Sequence, residues 1–205
     1  MPLSLFAVHL SDGAVTPAWL AGGFAGAAVL VAVACWRLPD QLVPRIGVFS
    51  AAFFVASSIP IKLLITSVHP ILNGLVGVCL GHRAPLAIAV GLTLHYFLLA
   101  HGGWSTLGLN TCIIGIPAIT AAAVHPILRR SGMPAFARGM LLGGGAVAAA
   151  TLLNALTLLL GGQEDWSTLV RLVLLAHLPV VAIEGVLLGV IVRYLEKVKP
   201  DMLNS

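Results

Sequence analysis

Residues 18–36 read AWLAGGFAGAAVLVAVACW, a run without a charged side chain that ends at the break Arg37-Leu38-Pro39-Asp40. A helix crossing the hydrocarbon core of a bilayer needs about 20 such residues. The rest of the chain has the same character. Of 205 residues, 59% are hydrophobic and 9% charged, and the mean hydropathy is +1.05. Water-soluble domains carry roughly a quarter charged residues, and a soluble fold of this size could not keep such a surface in water. Disorder is excluded as well, since it requires low hydrophobicity and high net charge. A polytopic membrane protein remains, with room for about six or seven spans and no separate catalytic or nucleotide-binding domain.

Working outward from that run, hydropathy and helix breakers predict seven spans. The first is 18–36. The second covers 46–59 and is interrupted by Pro60 and Lys62. The stretch 61–68 is apolar but flanked by Lys62 and His69-Pro70, and reads as a partly non-helical lead into a short third span at 70–80. The fourth covers 85–100 and stops at His101-Gly102-Gly103. The remaining three cover 107–128, 137–160 and 169–195.

The loops orient these spans. With the N-terminus outside, the inward loops hold Arg37, Arg45, Arg83, Arg129, Arg130, Arg138, Arg193, Lys197 and Lys199, nine of the 11 basic residues. The opposite loops hold His101-Gly102-Gly103-Trp104 and the acidic 161–166 segment. The positive-inside rule therefore predicts an outside N-terminus and a cytoplasmic C-terminus. Met1 to Val8 lacks a basic n-region, and the first span fits a retained helix better than a signal peptide. Lys62 reads as a snorkelling side chain at the outer interface. Gly22-x-x-x-Gly26 and Gly143-Gly144-Gly145 read as sites of close helix packing.

Several functions are excluded by what is missing. The net charge of +4 comes from scattered basic residues, which argues against nucleic acid. Cys35, Cys79 and Cys112 lie far apart in apolar stretches, so neither a disulfide framework nor a thiolate metal site is indicated. There is no H-E-x-x-H, no G-x-S-x-G and no phosphate-binding G-x-x-x-x-G-K-[ST]. Any ATP-driven work needs an ATPase on another subunit.

Polar residues at membrane depth are expensive and call for a reason. They are His69, Asn73, His95, Asn110, Asn154, His177 and Glu184, with His9 and Asp12 just ahead of the first span. His177 and Glu184, seven apart, share a helix face. They are open to two readings, as a packing pair bonded to neighbouring helices or as groups acting on a substrate. His69 lies at a break between spans, where unwound backbone is tolerated if it lines a site. His9 precedes a Ser11-Asp12-Gly13 turn signal.

These residues carry a resemblance. His9-Leu10-Ser11-Asp12-Gly13 resembles the Met-His-Ile-Pro-Asp-Gly opening of the CbiM/NikM family, the cobalt/nickel substrate-binding membrane (S) components of energy-coupling-factor ABC transporters. Thr66-Ser67-Val68-His69 resembles that family's Thr-Ser-x-His motif. The stretch from His101 through Asn110, HGGWSTLGLN, is similar to its Asp-Gly-Gly-Leu-Thr-Ala-Leu-Gly-Ala-Asn segment. Glu184-Gly185 and the ending 198–203 resemble its last helix and tail. The motifs occur in the family's order over nearly the whole chain.

The resemblance implies a subunit in the cell (inner) membrane that captures Ni²⁺ or Co²⁺ from outside for ATP-driven import. It implies no resident cofactor. Its partners would be a transmembrane coupling (T) subunit, cytoplasmic ATPase subunits and a small accessory membrane subunit. The metal would be held by an N-terminal amine, the next backbone amide nitrogen and imidazole, and a second imidazole. Carried onto this chain, these belong to Val8, His9 and His69. Ser67, Asp12, His101, Asn110 and Glu184 would surround the site, with Asp12 fixing the N-terminal turn and Asn110 supporting it. Nitrogen ligation in a tetragonal plane suits Ni²⁺ and accepts Co²⁺, whereas Mg²⁺ and Ca²⁺ prefer oxygen.

The chain departs from the pattern in two places. His9 is internal, so no free amine stands beside it unless the functional chain starts at residue 8. Val8 would then be a GTG-encoded initiator methionine, or residues 1–7 would be removed by proteolysis. At 101 the family pattern has Asp and this chain has His, which is either an imidazole over the metal site or an ordinary loop residue. Two other functions stay open at this point: a membrane sensor that binds metal without transporting it, and an integral-membrane enzyme using His177 and Glu184 as acid and base. The expectation is an all-α integral membrane protein forming a single transmembrane domain over 1–205.

Overall fold

The computed structural model describes residues 10–63 and 66–203. Its helices are α1 (Pro17–Cys35), α2 (Val43–Ser57), α3 (Asn73–Leu80), α4 (Ala84–Leu99), α5 (Leu107–Arg130), α6 (Ala135–Gly161) and α7 (Ser167–Val198). Prolines start several of them: Pro17 opens α1, Pro44 and Pro85 lie in the first turns of α2 and α4, and Pro134 caps α6. At those positions the missing N–H is one that a helix leaves unbonded anyway. Pro117 and Pro126 in α5 and Pro179 in α7 lie inside helices, as neighbouring helices allow in membrane proteins.

Between α2 and α3 the chain makes two short antiparallel strands, β1 (Ile61–Leu63) and β2 (Thr66–Val68), with Lys62 opposite Ser67. The expected non-helical lead into the third helix is present, and the hairpin form is new. Hydropathy could not show it, because a short apolar run reads alike as strand or helix.

Among the described residues, five segments are long and apolar enough to cross a bilayer: Pro17–Cys35, Asn73–Leu99, Leu107–Arg130, Ala135–Gly161 and Ser167–Val198. The expectation of seven such spans is therefore met only in part. α2 has 15 residues and α3 has 8, so neither qualifies on length. Asn73–Leu99 joins α3 and α4 through a 3₁₀ turn at Gly81–Arg83, with Gly81 at φ 62°. That turn reverses the chain. His69 before α3 and His101 after α4 meet at the same end of the molecule, ring to ring.

α5 is the hub, packing against α1, α3, α4 and α6, while α6 and α7 pair along most of their length. The core is mainly apolar, but the outer surface is apolar too, and a few polar residues lie inside. Val29, Val33, Leu160 and Leu175 are exposed, while Asn73, Asn110, Asn154, His177 and Glu184 are buried. Lipid accepts the first group, and the second finds partners only inside.

Small residues set the helix approaches, though not all where expected. Gly143 and Gly144 do face α7: a Cβ on Gly143 would lie 2.5 Å from the Glu184 carbonyl oxygen. Gly22 and Gly145 face open space. The tight α1–α5 contact belongs to Gly23 and Gly108, where a Cβ on Gly108 would lie 2.6 Å from the Phe24 nitrogen. Sequence spacing identifies a small-residue helix but not which of two adjacent glycines points at the neighbour.

The end remote from the His69–His101 contact is tied by arginines. The Arg45 guanidinium donates to the Cys79 and Met202 carbonyls, both at 2.5 Å, which holds the C-terminal 3₁₀ turn (Pro200–Leu203) against the bundle. Arg138, almost fully buried, donates to the Met133 carbonyl at 2.8 Å and pairs with Glu196. Removing one partner of a buried ion pair leaves the other uncompensated. Glu196→Ala is expected to destabilise the fold by about 3 kcal/mol, read as a lowered thermal midpoint in detergent. An unchanged midpoint would show that Arg138 needs only its carbonyl partner.

Candidate metal centre

The N-terminal segment is held on three sides. Asn110, in the first turn of α5, grips the Leu10 backbone from both directions. The Leu10 N–H donates to Asn110 Oδ1 at 2.8 Å, and Asn110 Nδ2 donates to the Leu10 carbonyl at 3.0 Å. Thr106 adds its hydroxyl to the same carbonyl at 2.7 Å. Asp12 accepts the N–H groups of Trp104 and Ser105, at 3.2 and 2.9 Å, and the Ser105 hydroxyl. The loop after α4 is thereby clamped over residues 10–12. On the other side Thr16 N–H donates to the Gly161 carbonyl at 2.8 Å, and Gln163 Nε2 donates to the Val15 carbonyl at 2.9 Å.

Asp12 and Asn110 thus sit beside the N-terminal segment, each through contacts that reach about a hundred residues along the chain. Thr106 was not anticipated. Its position four residues before Asn110, on the same helix face, was the available signal. Val8 and His9 lie outside the described residues, as does the side chain of Ser67.

His69 is presented by an irregular turn. After β2 the chain runs through His69-Pro70-Ile71 to Leu72, which takes a left-handed conformation at φ 52° before α3 begins. That conformation costs a non-glycine residue about 1–3 kcal/mol and persists only when its surroundings hold it. Glu184 on α7 supplies that hold. Its Oε1 accepts the N–H of Ile71 at 2.6 Å and of Leu72 at 2.9 Å. Asn73 adds a link to α6, its Nδ2 donating to the Ala146 carbonyl at 3.1 Å.

The His69 ring lies beside the Ile59 backbone, and its Nδ1 is buried without a partner. An imidazole nitrogen without a partner is a candidate metal ligand.

Other imidazoles surround it. The His101 ring lies 5.2 Å from that of His69, and the His95 ring 6.0 Å from that of His101. His95 is engaged by α2, its Nε2 lying 3.0 Å from both the Phe54 carbonyl and the Ser57 hydroxyl. Burial lowers the pKa of His69, and the neighbouring His101 and His95 lower it further. Burial also lowers that of His101. Both rings favour the neutral form that binds a cation. Among the described residues, no group of three or more His, Cys, Asp or Glu side chains could hold an ion by itself.

His177 and Glu184 share a face of α7 but serve different partners. His177 Nδ1 donates to the Val173 carbonyl at 2.7 Å, whereas Glu184 holds Ile71 and Leu72. The geometry favours the packing reading over an acid–base pair, with Glu184 acting on the turn that carries His69.

The structure is an apolar helical bundle with three imidazoles, His69, His95 and His101, gathered at one end, the architecture of a polytopic membrane protein. The chain belongs to the CbiM family, cobalt uptake substrate-specific transmembrane region, whose profile matches residues 9–202. It is similar to a Haemophilus influenzae protein named for metal transport, 35% identical over 96% of this chain and 97% of the relative. The cobalt transport protein CbiM of Sorangium cellulosum is 31% identical over 96% and 95%. A protein of Methanocorpusculum labreanum named for a fused CbiMQ cobalt transporter matches 82% of this chain with 30% of its own length. A crystal structure of a truncated transition metal transporter shares the fold, with a TM-score of 0.81 at 21% identity over 92% of this chain and 98% of that one. The relatives are named for transport, not for an enzymatic activity.

Proposed function

We propose that this protein captures Co²⁺ or Ni²⁺ at the outer face of the cell membrane for import driven by ATP hydrolysis on partner subunits. The observation that carries the reading is the unpartnered Nδ1 of His69. It is held at the same end of the bundle as the clamped N-terminal segment. Leu10, the residue after His9, is fixed by Asn110 and Thr106. The segment that follows Val8 and His9 is therefore anchored beside the His101 loop. Nitrogen donors without carboxylates select a transition metal over Mg²⁺ or Ca²⁺.

The concentration of arginines at the opposite end supports an outside N-terminus, with α2 and the α3–α4 hairpin completing seven crossings of one transmembrane domain. Import needs an energy source that this sequence lacks, so a coupling (T) subunit and cytoplasmic ATPases are the proposed partners. The relative named for a fused CbiMQ protein, in which the matching region is one part of a longer chain, supports a multi-part assembly. We also propose that the functional chain starts at residue 8, which places a free amine beside His9.

The test has two parts. Intact mass of the native protein shows where the chain starts, and retention of Met1 to Ala7 would sink the proposed start. Titration of the purified protein with Co²⁺ and Ni²⁺, followed by uptake with the coupling subunits present, separates capture for transport from sensing. Ligand nitrogens must be unprotonated, and the lowered pKa values of His69 and His101 weaken proton competition. Metal binding is therefore expected to persist somewhat below the ordinary imidazole range and to fail in stronger acid. Binding that is flat with pH into strong acid would rule out imidazole ligation.

A further inference from the structure

The loop clamped over the N-terminal segment carries an imidazole where the related pattern has a carboxylate, and the structure shows what that imidazole faces. The His101 ring meets the His69 ring edge to face, with centroids 5.2 Å apart and an interplanar angle of 71°. Two imidazoles bound to one ion at about 2.0–2.1 Å have centroids about 4.5 Å apart at a right angle and about 5.2 Å apart at a tetrahedral angle. The observed separation is the wide end of that range. That separation is compatible with the two rings sharing one ion.

His95, the other ring beside His101, is the weaker candidate for this role. His95 is farther from His101, at 6.0 Å, and its Nε2 is engaged by Phe54 and Ser57. His69 brings a buried Nδ1 with no partner. His101 is only half-buried, so an ion can reach it from outside. Its backbone is held as well: the His101 N–H donates to the His95 carbonyl at 3.1 Å, between left-handed residues Ala100 (φ 49°) and Gly102 (φ 80°).

We propose that His101 is a direct ligand of the captured ion beside His69, and that it shifts the preference of this protein toward Co²⁺ relative to Ni²⁺. The inference rests on the metal-capture reading above. Four nitrogens in a plane suit Ni²⁺, whereas a further imidazole off that plane removes the planar geometry in which Ni²⁺ has its advantage.

The experiment uses the native chain in detergent, loaded with Co²⁺ alone or Ni²⁺ alone. X-ray absorption counts the imidazoles on the ion in the wild type, His101→Ala and His101→Asp. The aspartate variant restores the residue of the related pattern, so it reports even if the alanine variant fails to fold. The expected result is one imidazole fewer in both variants. Co²⁺ affinity should fall by at least about tenfold, and the ratio of Co²⁺ to Ni²⁺ affinity should fall with it. An unchanged imidazole count overturns the role of His101 even if affinity drops. If the wild type binds metal through His69 but not His101, only this inference fails. A wild type that binds neither ion overturns the capture reading as well.

Discussion

His69→Ala is expected to abolish high-affinity capture of Co²⁺ and Ni²⁺ while leaving the fold intact. Losing an outer residue that merely orients a ligand costs about 10–100-fold in metal affinity, and losing the ligand itself costs more. The fold should tolerate the change because the ring is only half-buried and its Nδ1 holds no partner. Calorimetric titration with Co²⁺, beside a thermal midpoint in detergent, separates the two effects. A variant that binds Co²⁺ as tightly as the wild type would remove His69 from the site. One that neither folds nor binds would assign the ring a packing role.

Glu184→Ala is expected to lose metal capture and also to lower stability, because Glu184 acts on the backbone that presents His69. The substitution strands the N–H groups of Ile71 and Leu72. Each orphaned buried donor costs about 1–3 kcal/mol, so the pair costs about 2–6 kcal/mol. Leu72 also loses the hold on its left-handed turn. The His69 turn should loosen, and metal affinity should fall although no ligand has been touched. Glu184→Gln keeps an acceptor for both N–H groups and should recover most of the stability and binding. Binding by Glu184→Ala at wild-type affinity would show that the turn is held from elsewhere. Failure of the glutamine variant to rescue would mean that the charge matters, not the accepting oxygen.

The two residues illustrate how much of the site can be read along the chain. His69 stands out from sequence because it interrupts apolar spans beside a proline, in a motif with a family likeness. Glu184 stood out as an expensive carboxylate near His177 and as part of the family likeness, but not for what it holds. Its actual partners, Ile71 and Leu72, lie more than a hundred residues away, and backbone N–H groups carry no mark in a sequence. Asp12 likewise read as part of its own turn, whereas its oxygens bind Trp104 and Ser105.

What the sequence determined by itself was the solvent. A chain with 9% charged residues and runs such as 18–36 can fold only where lipid covers its surface, and hydropathy reports that directly because transfer free energy is nearly additive over residues. The distribution of arginines and the order of the motifs were legible for the same reason. The tertiary structure alone decided which polar groups meet. It turned Asn73–Leu99 back on itself, paired 61–63 with 66–68, chose Gly23 over Gly22 for the α1–α5 contact, and placed His101 against His69. Those outcomes depend on pairwise geometry between distant segments, where a one-residue rotation of a helix changes the partner, and no local pattern encodes it.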